Sequence, residues 1–247
     1  MTKSDDAQET LLVKLHEALS SSRQWLDHTH LPAAAQDFGD KDLFSLKAFT
    51  DNIAIGWPLY DRRDGEGELG MAFGDLAGFQ LTMVNAGFFV RGAISVGNAY
   101  VDEIAVFGDA LLEAYVGEST LARDPRIVLT ESAREHVVRH LGYYGNSSWA
   151  PQNRDLVQDI DGQWFLNYLD AILWGEDRGG PFFDELEKHR DAVQSRLNEH
   201  RARPTVYAKY AWTAGYHNWF CDQHGFEDYK IDVDALSGSR GFIVDNL

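Results

Sequence analysis

Residues 88–97 (FFVRGAISVG) form an apolar run that carries one charge, Arg91. A run of this kind reads as a buried strand, and a chain that contains one must supply other elements to cover it. The surrounding sequence does so. Leu11, Leu15, Ala18, Leu19 and Leu26 recur at helical spacing within residues 7–27, with Asp5 and Gln8 as a capping pair at the start. Residues 43–57 predict two short strands around a tight turn at Asp51-Asn52, and residues 60–67 a polar loop. Residues 69–85 predict a helix with Leu69, Phe73, Leu76, Phe79 and Met83 on one side and Gly87 as its stop. After the apolar run come a turn at 98–103, a strand-like segment at 104–107, and a helix at 109–122. Asp124-Pro125 breaks that helix, and 126–129 is a short strand. This order, with its antiparallel hairpin, predicts an α+β sandwich with helices packed on one face of a sheet.

From about residue 131 the pattern becomes helical. Residues 131–141 and 182–202 show helical spacing, the latter with Leu186, Val193 and Leu197 inward, and Pro204 leads into an aromatic helix at 205–221. Between them lie a Gly/Asn/Ser-rich loop at 142–153, a dense apolar stretch at 164–174 and a breaker at Gly179-Gly180-Pro181. No linker separates the halves, so the second half is expected to be a helical subdomain packed on the sheet.

At 247 residues the chain can bury a core without staples. Its formal charge of −17 argues against nucleic acid or an anionic membrane as partner, since both require a positive surface. A small anionic substrate needs only a local positive group or a metal. The single cysteine, Cys221, cannot form an internal disulfide, and MTKSDDAQET carries no apolar signal-type stretch; both fit a cytoplasmic protein.

No phosphate-binding loop, dinucleotide fingerprint or nucleophile elbow is present. His136 and His140 are spaced to share a helix face, but without the metalloprotease pattern they read as two solvated histidines, as do His28 and His30 in their loop. The cluster Tyr207, Tyr210, Trp212, Tyr216, Trp219 and Phe220 reads as core or dimer interface. Three residues stand out: Lys47, Asp51 and Arg91. A carboxylate at a hairpin tip is orientable, as a hard-metal ligand must be. A lone cation in a buried strand must meet an anion, either a protein carboxylate or a phosphate. On these residues alone an internal Arg91–carboxylate pair is the favoured reading, with Asp51 a turn residue.

Residues 44–119 resemble the catalytic core of class III nucleotidyl cyclases. Lys47-Ala48-Phe49-Thr50-Asp51 resembles the element in which a base-contacting Lys precedes a metal-binding Asp. Arg91-Gly92-Ala93-Ile94-Ser95-Val96-Gly97 resembles the following strand, and Phe107-Gly108-Asp109 the step into the next helix. The segments FTDNIAIGWP, GFFVRGAISVGNAYVDEIAVFGDALLEAY, PRIVLTES, DGQWFLNYL and KYAWTAGYHNWF extend the resemblance to the pyrimidine cyclases of bacterial anti-phage (Pycsar) systems.

The resemblance implies a ferredoxin-like antiparallel sheet, with a cyclase core over residues 1–135 and a helical subdomain over 136–247. It implies cyclisation of UTP, less readily CTP, to the 3′,5′-cyclic monophosphate and pyrophosphate, a second messenger in anti-phage defence. Mg²⁺ or Mn²⁺ would be held by Asp51, Lys47 would lie near the base or triphosphate, and Arg91 would neutralise phosphate oxygens. A head-to-tail homodimer with active sites at the interface is also implied. The chain departs from the family at three places. The family's first metal Asp lies in an apolar strand, whose flanks Asp5 and Asp6 lack. Leu112 and Val116 stand where the family carries Asn and Arg, and Ala105 stands at the adenine-reading acid. The competing expectation is a catalytically inactive cyclase-fold protein that binds nucleotide or dimerises. Asp109 is left without an assigned role.

Overall fold

The computed structural model of the chain describes residues 3–27, 43–49, 52–60, 64–101, 105–144, 147, 150–232 and 242–243. The chain is α+β and divides into two compact units, each discontinuous in sequence. One comprises Met1–Asp27, Asp75–Val90 and Tyr168–Phe242; the other His28–Gly74, Arg91–Asn167 and Ile243–Leu247.

The second of these units holds the strands, except that the last one begins at Phe242 of the first. β1 (Ser45–Phe49) and β2 (Asn52–Gly56) pair antiparallel as a separate hairpin. The main sheet joins β3 (Gly92–Ile94), β6 (Ile127–Leu129), β7 (Leu156–Asp159), β8 (Trp164–Leu166) and β9 (Phe242–Ile243) in the order β3-β6-β8-β7-β9. A small ribbon of β4 (Tyr100–Val101) with β5 (Val106–Phe107) stands apart. The expected antiparallel sheet is therefore corrected to a mixed one, because β3 and β6 run parallel while β6–β8 and β8–β7 are antiparallel. The ribbon and helix α3 (Asp109–Thr120) lie between β3 and β6 in the chain, and a parallel pair needs a crossover of that length.

Small residues let α3 lie close on the sheet. A Cβ on Gly117 would stand 2.9 Å from the Ala93 side chain and 2.8 Å from that of Thr130. Helix α4 (Glu131–Tyr144) starts directly after β6. Thr130 closes that junction by donating its backbone N–H and its hydroxyl to Ile94 O, while the Glu113 carboxylate accepts the Ser132 N–H. That carboxylate occupies an N-terminal capping position.

The β7–β8 hairpin corrects the expectation that the second half is wholly helical. Asp159-Ile160-Asp161-Gly162 turns the chain, with Gly162 at φ +79° and its N–H donated to Asp159 O. The Asp-Gly pair is the local signal for it. Just ahead, the expected loop contains a single helical turn, α5 (Pro151–Arg154).

In the other unit α1 runs Lys3–Arg23, so Asp5 lies in its first turn and is not its cap. Helix α2 (Glu66–Asn85) contributes residues 66–74 to one unit and 75–85 to the other. Its end is a Schellman motif at Gly87, φ +89°, with Phe88 N–H donated to Met83 O and Gly87 N–H to Val84 O. Trp25 lies flat on Gly78, where a Cβ would come within 2.3 Å of the indole, and its Nε1 donates to Thr82. Helices α6 (Phe183–Glu199) and α7 (Pro204–His224) bury Leu186, Val193 and Leu197 against Trp212, Ala214, Tyr216 and Phe220. An irregular 3₁₀ segment, Tyr168–Arg178, precedes them.

Gly108 is the most constrained glycine of the motif segments. Its φ of +139° is open essentially to glycine alone, and a Cβ would stand 2.4 Å from Asn98 O. Gly108→Ala is expected to cost at least about 2 kcal/mol, combining backbone strain and the clash. Urea denaturation checks this; an unchanged midpoint would show that the ribbon-to-α3 step tolerates a side chain.

Candidate functional site

Lys47 sits half-buried on β1 opposite Ala54. An edge-to-face pair of Phe44 and Trp57, 5.6 Å between centroids, closes the open end of the hairpin. The ladder continues to Phe49 opposite Asn52, so Asn52 begins β2 and is not part of the turn. Asp51, the expected metal ligand, lies outside the described residues, and so do His28 and His30.

Arg91 is placed directly ahead of β3, with its side chain 42% exposed. Its Nε makes a 2.6 Å ion pair with Glu118, and its Nη1 donates to Ala122 O at 3.4 Å. The internal carboxylate expected from the sequence is therefore present. The C-terminal end of α3 adds a favourable dipole for the guanidinium.

Helix α3 runs antiparallel to β3. Arg91 meets Glu118 at one end, while Ser95 Oγ donates to Ala110 O and Gly97 packs on Ala110 at the other. The Gly108-Asp109 step thus lies at the far end of β3 from Arg91, about 12 Å along α3 from Ala110 to Glu118 at 1.5 Å per residue. The described polar contacts of Arg91 do not include Lys47 or Asp109.

Leu112 and Val116 face outward from α3, 63% and 48% exposed. Tyr115 beside them is exposed, as are Tyr100 and Phe107 of the ribbon, which stack at 4.8 Å. Among the described residues no group of three or more His, Cys, Asp or Glu is placed to hold a metal ion. The hard-metal set implied by the resemblance is thus not assembled from the described residues.

His136 and His140 differ from expectation. His140 is fully buried, with Nε2 3.1 Å from Asp64 O, while His136 is half-buried with Nδ1 2.9 Å from Ser132 O. Asp64 in turn is held below the usual carboxylate range, chiefly by the Tyr143 hydroxyl. The aromatic cluster supplies core at Trp212, Tyr216 and Phe220, as expected. Burial pushes the Cys221 thiol up to about 12, so it is inert at neutral pH.

Two buried polar clusters escaped the sequence reading. In one, Arg126 meets Asp159 and Asp161; in the other, Tyr168, His189 and His217 form a hydrogen-bonded chain. Each cluster joins side chains from elements distant in the chain, so no local spacing marks it. No helix of the described residues is long and apolar enough to cross a membrane.

No protein-family model, no curated protein and no solved structure matches the chain.

Proposed function

We propose that the chain is a pyrimidine nucleotide cyclase acting on UTP in preference to CTP. The observation that carries this reading is the order of elements. A hairpin bearing Lys47, helix α2, strand β3 headed by Arg91, the Gly108 step and helix α3 follow one another as the resemblance requires. Lys47 would contact the base or triphosphate. Arg91, with Nε and Nη1 engaged by Glu118 and Ala122, would offer Nη2 to a phosphate oxygen. Mg²⁺ or Mn²⁺ held by Asp51 would supply charge neutralisation to the triphosphate. The exposed apolar surface of α3 and the β4–β5 ribbon is suited to a second copy of the chain, so a homodimer belongs to the proposal. So does a cytoplasmic role in anti-phage signalling.

The test incubates the purified chain with each of four nucleoside triphosphates and Mn²⁺ and separates the products by chromatography. Cyclic UMP is expected. Asp51→Asn is expected to lower its rate at least about 100-fold, and Lys47→Ala or Arg91→Ala at least about tenfold. No product from any triphosphate would overturn the reading. The Arg91–Glu118 ion pair favours one competitor, an inactive cyclase-fold protein. That protein would bind UTP without turnover, and Asp51→Asn would change nothing.

A further inference from the structure

The His136–His140 pair on α4 has a polarity that the rings themselves define. Each ring has one nitrogen at hydrogen-bond distance from a backbone carbonyl, His136 Nδ1 at Ser132 O and His140 Nε2 at Asp64 O. A carbonyl only accepts, so those nitrogens carry the protons. In the neutral rings the lone pairs therefore sit on His136 Nε2 and His140 Nδ1. His140 Nδ1 is buried and has no hydrogen-bond partner, an arrangement that costs stability unless something occupies that lone pair.

The two ring centroids are 6.2 Å apart with the planes at 69°. A metal about 2.0–2.1 Å from an imidazole nitrogen lies about 3 Å from that ring's centroid, so the centroid spacing leaves room for one ion between the two rings when their free nitrogens turn toward it. A tetrahedral angle would need the rings about 1 Å closer, within reach of a small χ adjustment in the half-buried His136. An imidazole whose other N–H is donated to a carbonyl is fixed in orientation and made a better donor to metal.

We propose that His136 and His140 form a site for a divalent transition-metal ion, Zn²⁺ in the first instance, with water completing the coordination. Imidazole selects Zn²⁺, Cu²⁺ or Ni²⁺ over Mg²⁺ and Mn²⁺, so this site does not depend on the cyclase reading and would not be filled by the hard metal of that reaction. Because no third His, Cys, Asp or Glu completes the set among the described residues, the site is open and weaker than a closed structural zinc site. The strongly negative chain favours any cation that approaches.

The test titrates ZnCl₂ into the full chain, freed of metal by chelator, using calorimetry, with MgCl₂ as the comparison. One saturable Zn²⁺ site is expected, with no matching Mg²⁺ heat. His136→Ala is expected to weaken Zn²⁺ binding at least tenfold, with its circular dichroism unchanged. His140→Gln should do the same if it folds; because His140 is buried, His136→Ala carries the decision. In NMR, Zn²⁺ should shift the imidazole resonances of His136 and leave those of His189 in place. Absence of saturable Zn²⁺ binding, or full affinity in His136→Ala, overturns the proposal.

Discussion

Arg126→Met is expected to destabilise the chain by about 3–5 kcal/mol, read from the midpoint of urea denaturation. The guanidinium is fully buried at the entry to β6. Its Nη1 donates to Asp159 and its Nη2 to Asp161, both on the β7–β8 hairpin, and its carbon lies 5.9 Å from the Phe165 ring centroid. Burial alone would raise the Asp161 carboxyl, yet Arg126 and the Gln163 N–H hold it below its usual range. Removing the cation leaves Asp159, only 2% exposed, with a buried charge that keeps the Ile160 N–H but loses its guanidinium, and that is where the loss arises. The double replacement Arg126→Met with Asp159→Asn should recover much of it, because deleting both charges removes the stranded one. A loss below about 1 kcal/mol in the single variant would show that the hairpin relaxes and lets water reach Asp159.

That pair also shows which parts of the fold were legible in the sequence. Gly87 was readable as a helix stop because a Schellman motif is made within one stretch of chain. The inward residues of α6 were readable from helical period alone, and Leu186, Val193 and Leu197 are buried as expected. The apolar stretch at 164–174 was not readable, because its two halves obey different partners. Trp164–Leu166 becomes strand through pairing with Val128 and with β7, whereas Tyr168 onward turns into a 3₁₀ segment. Period cannot assign a short apolar run whose conformation is decided by neighbours dozens of residues away.

The candidate site follows the same division. Arg91 was recognisable as a cation in need of an anion, and the structure supplies Glu118 from the far end of α3. Helical spacing alone gives His140 as solvated, whereas its partner, Asp64 O, lies 76 residues earlier in the chain. Lys47 was legible on a strand of a hairpin; the ladder places Asn52, expected in the turn, opposite Phe49 at the start of β2. Leu112 and Val116, noted as departures from a charged pattern, lie on an exposed apolar face. That outcome follows from α3 using its small residues, Ala110 and Gly117, against the sheet.

Acid is expected to weaken the helical unit through His189 and His217, by about 3 kcal/mol for His217 alone. The proton positions in this chain follow from one carbonyl. His217 Nε2 lies 2.9 Å from Tyr229 O and must donate, so its Nδ1 accepts from His189 Nδ1 at 2.9 Å, and His189 Nε2 accepts from the Tyr168 hydroxyl. The two rings are stacked at 4° with both side chains fully buried. A second proton on either ring would place N–H against N–H or N–H against O–H. Desolvation accordingly pushes His189 well below the usual range, with the charge of His217 adding to it. Desolvation also lowers His217 to about 4, against the Tyr229 carbonyl, with Arg190 lowering it further. Because the unfolded rings titrate near 6.5, the unfolded chain binds the extra protons. Stability is therefore full above about pH 6.5 and declines as pH falls, the His217 share being lost by about pH 4. His217→Gln keeps a donor for Tyr229 O and an acceptor for His189 but cannot titrate, so the decline between about pH 6.5 and 4 should be roughly halved. Urea midpoints across that range decide it: an unchanged slope in His217→Gln would place the acid sensitivity elsewhere, in the carboxylates.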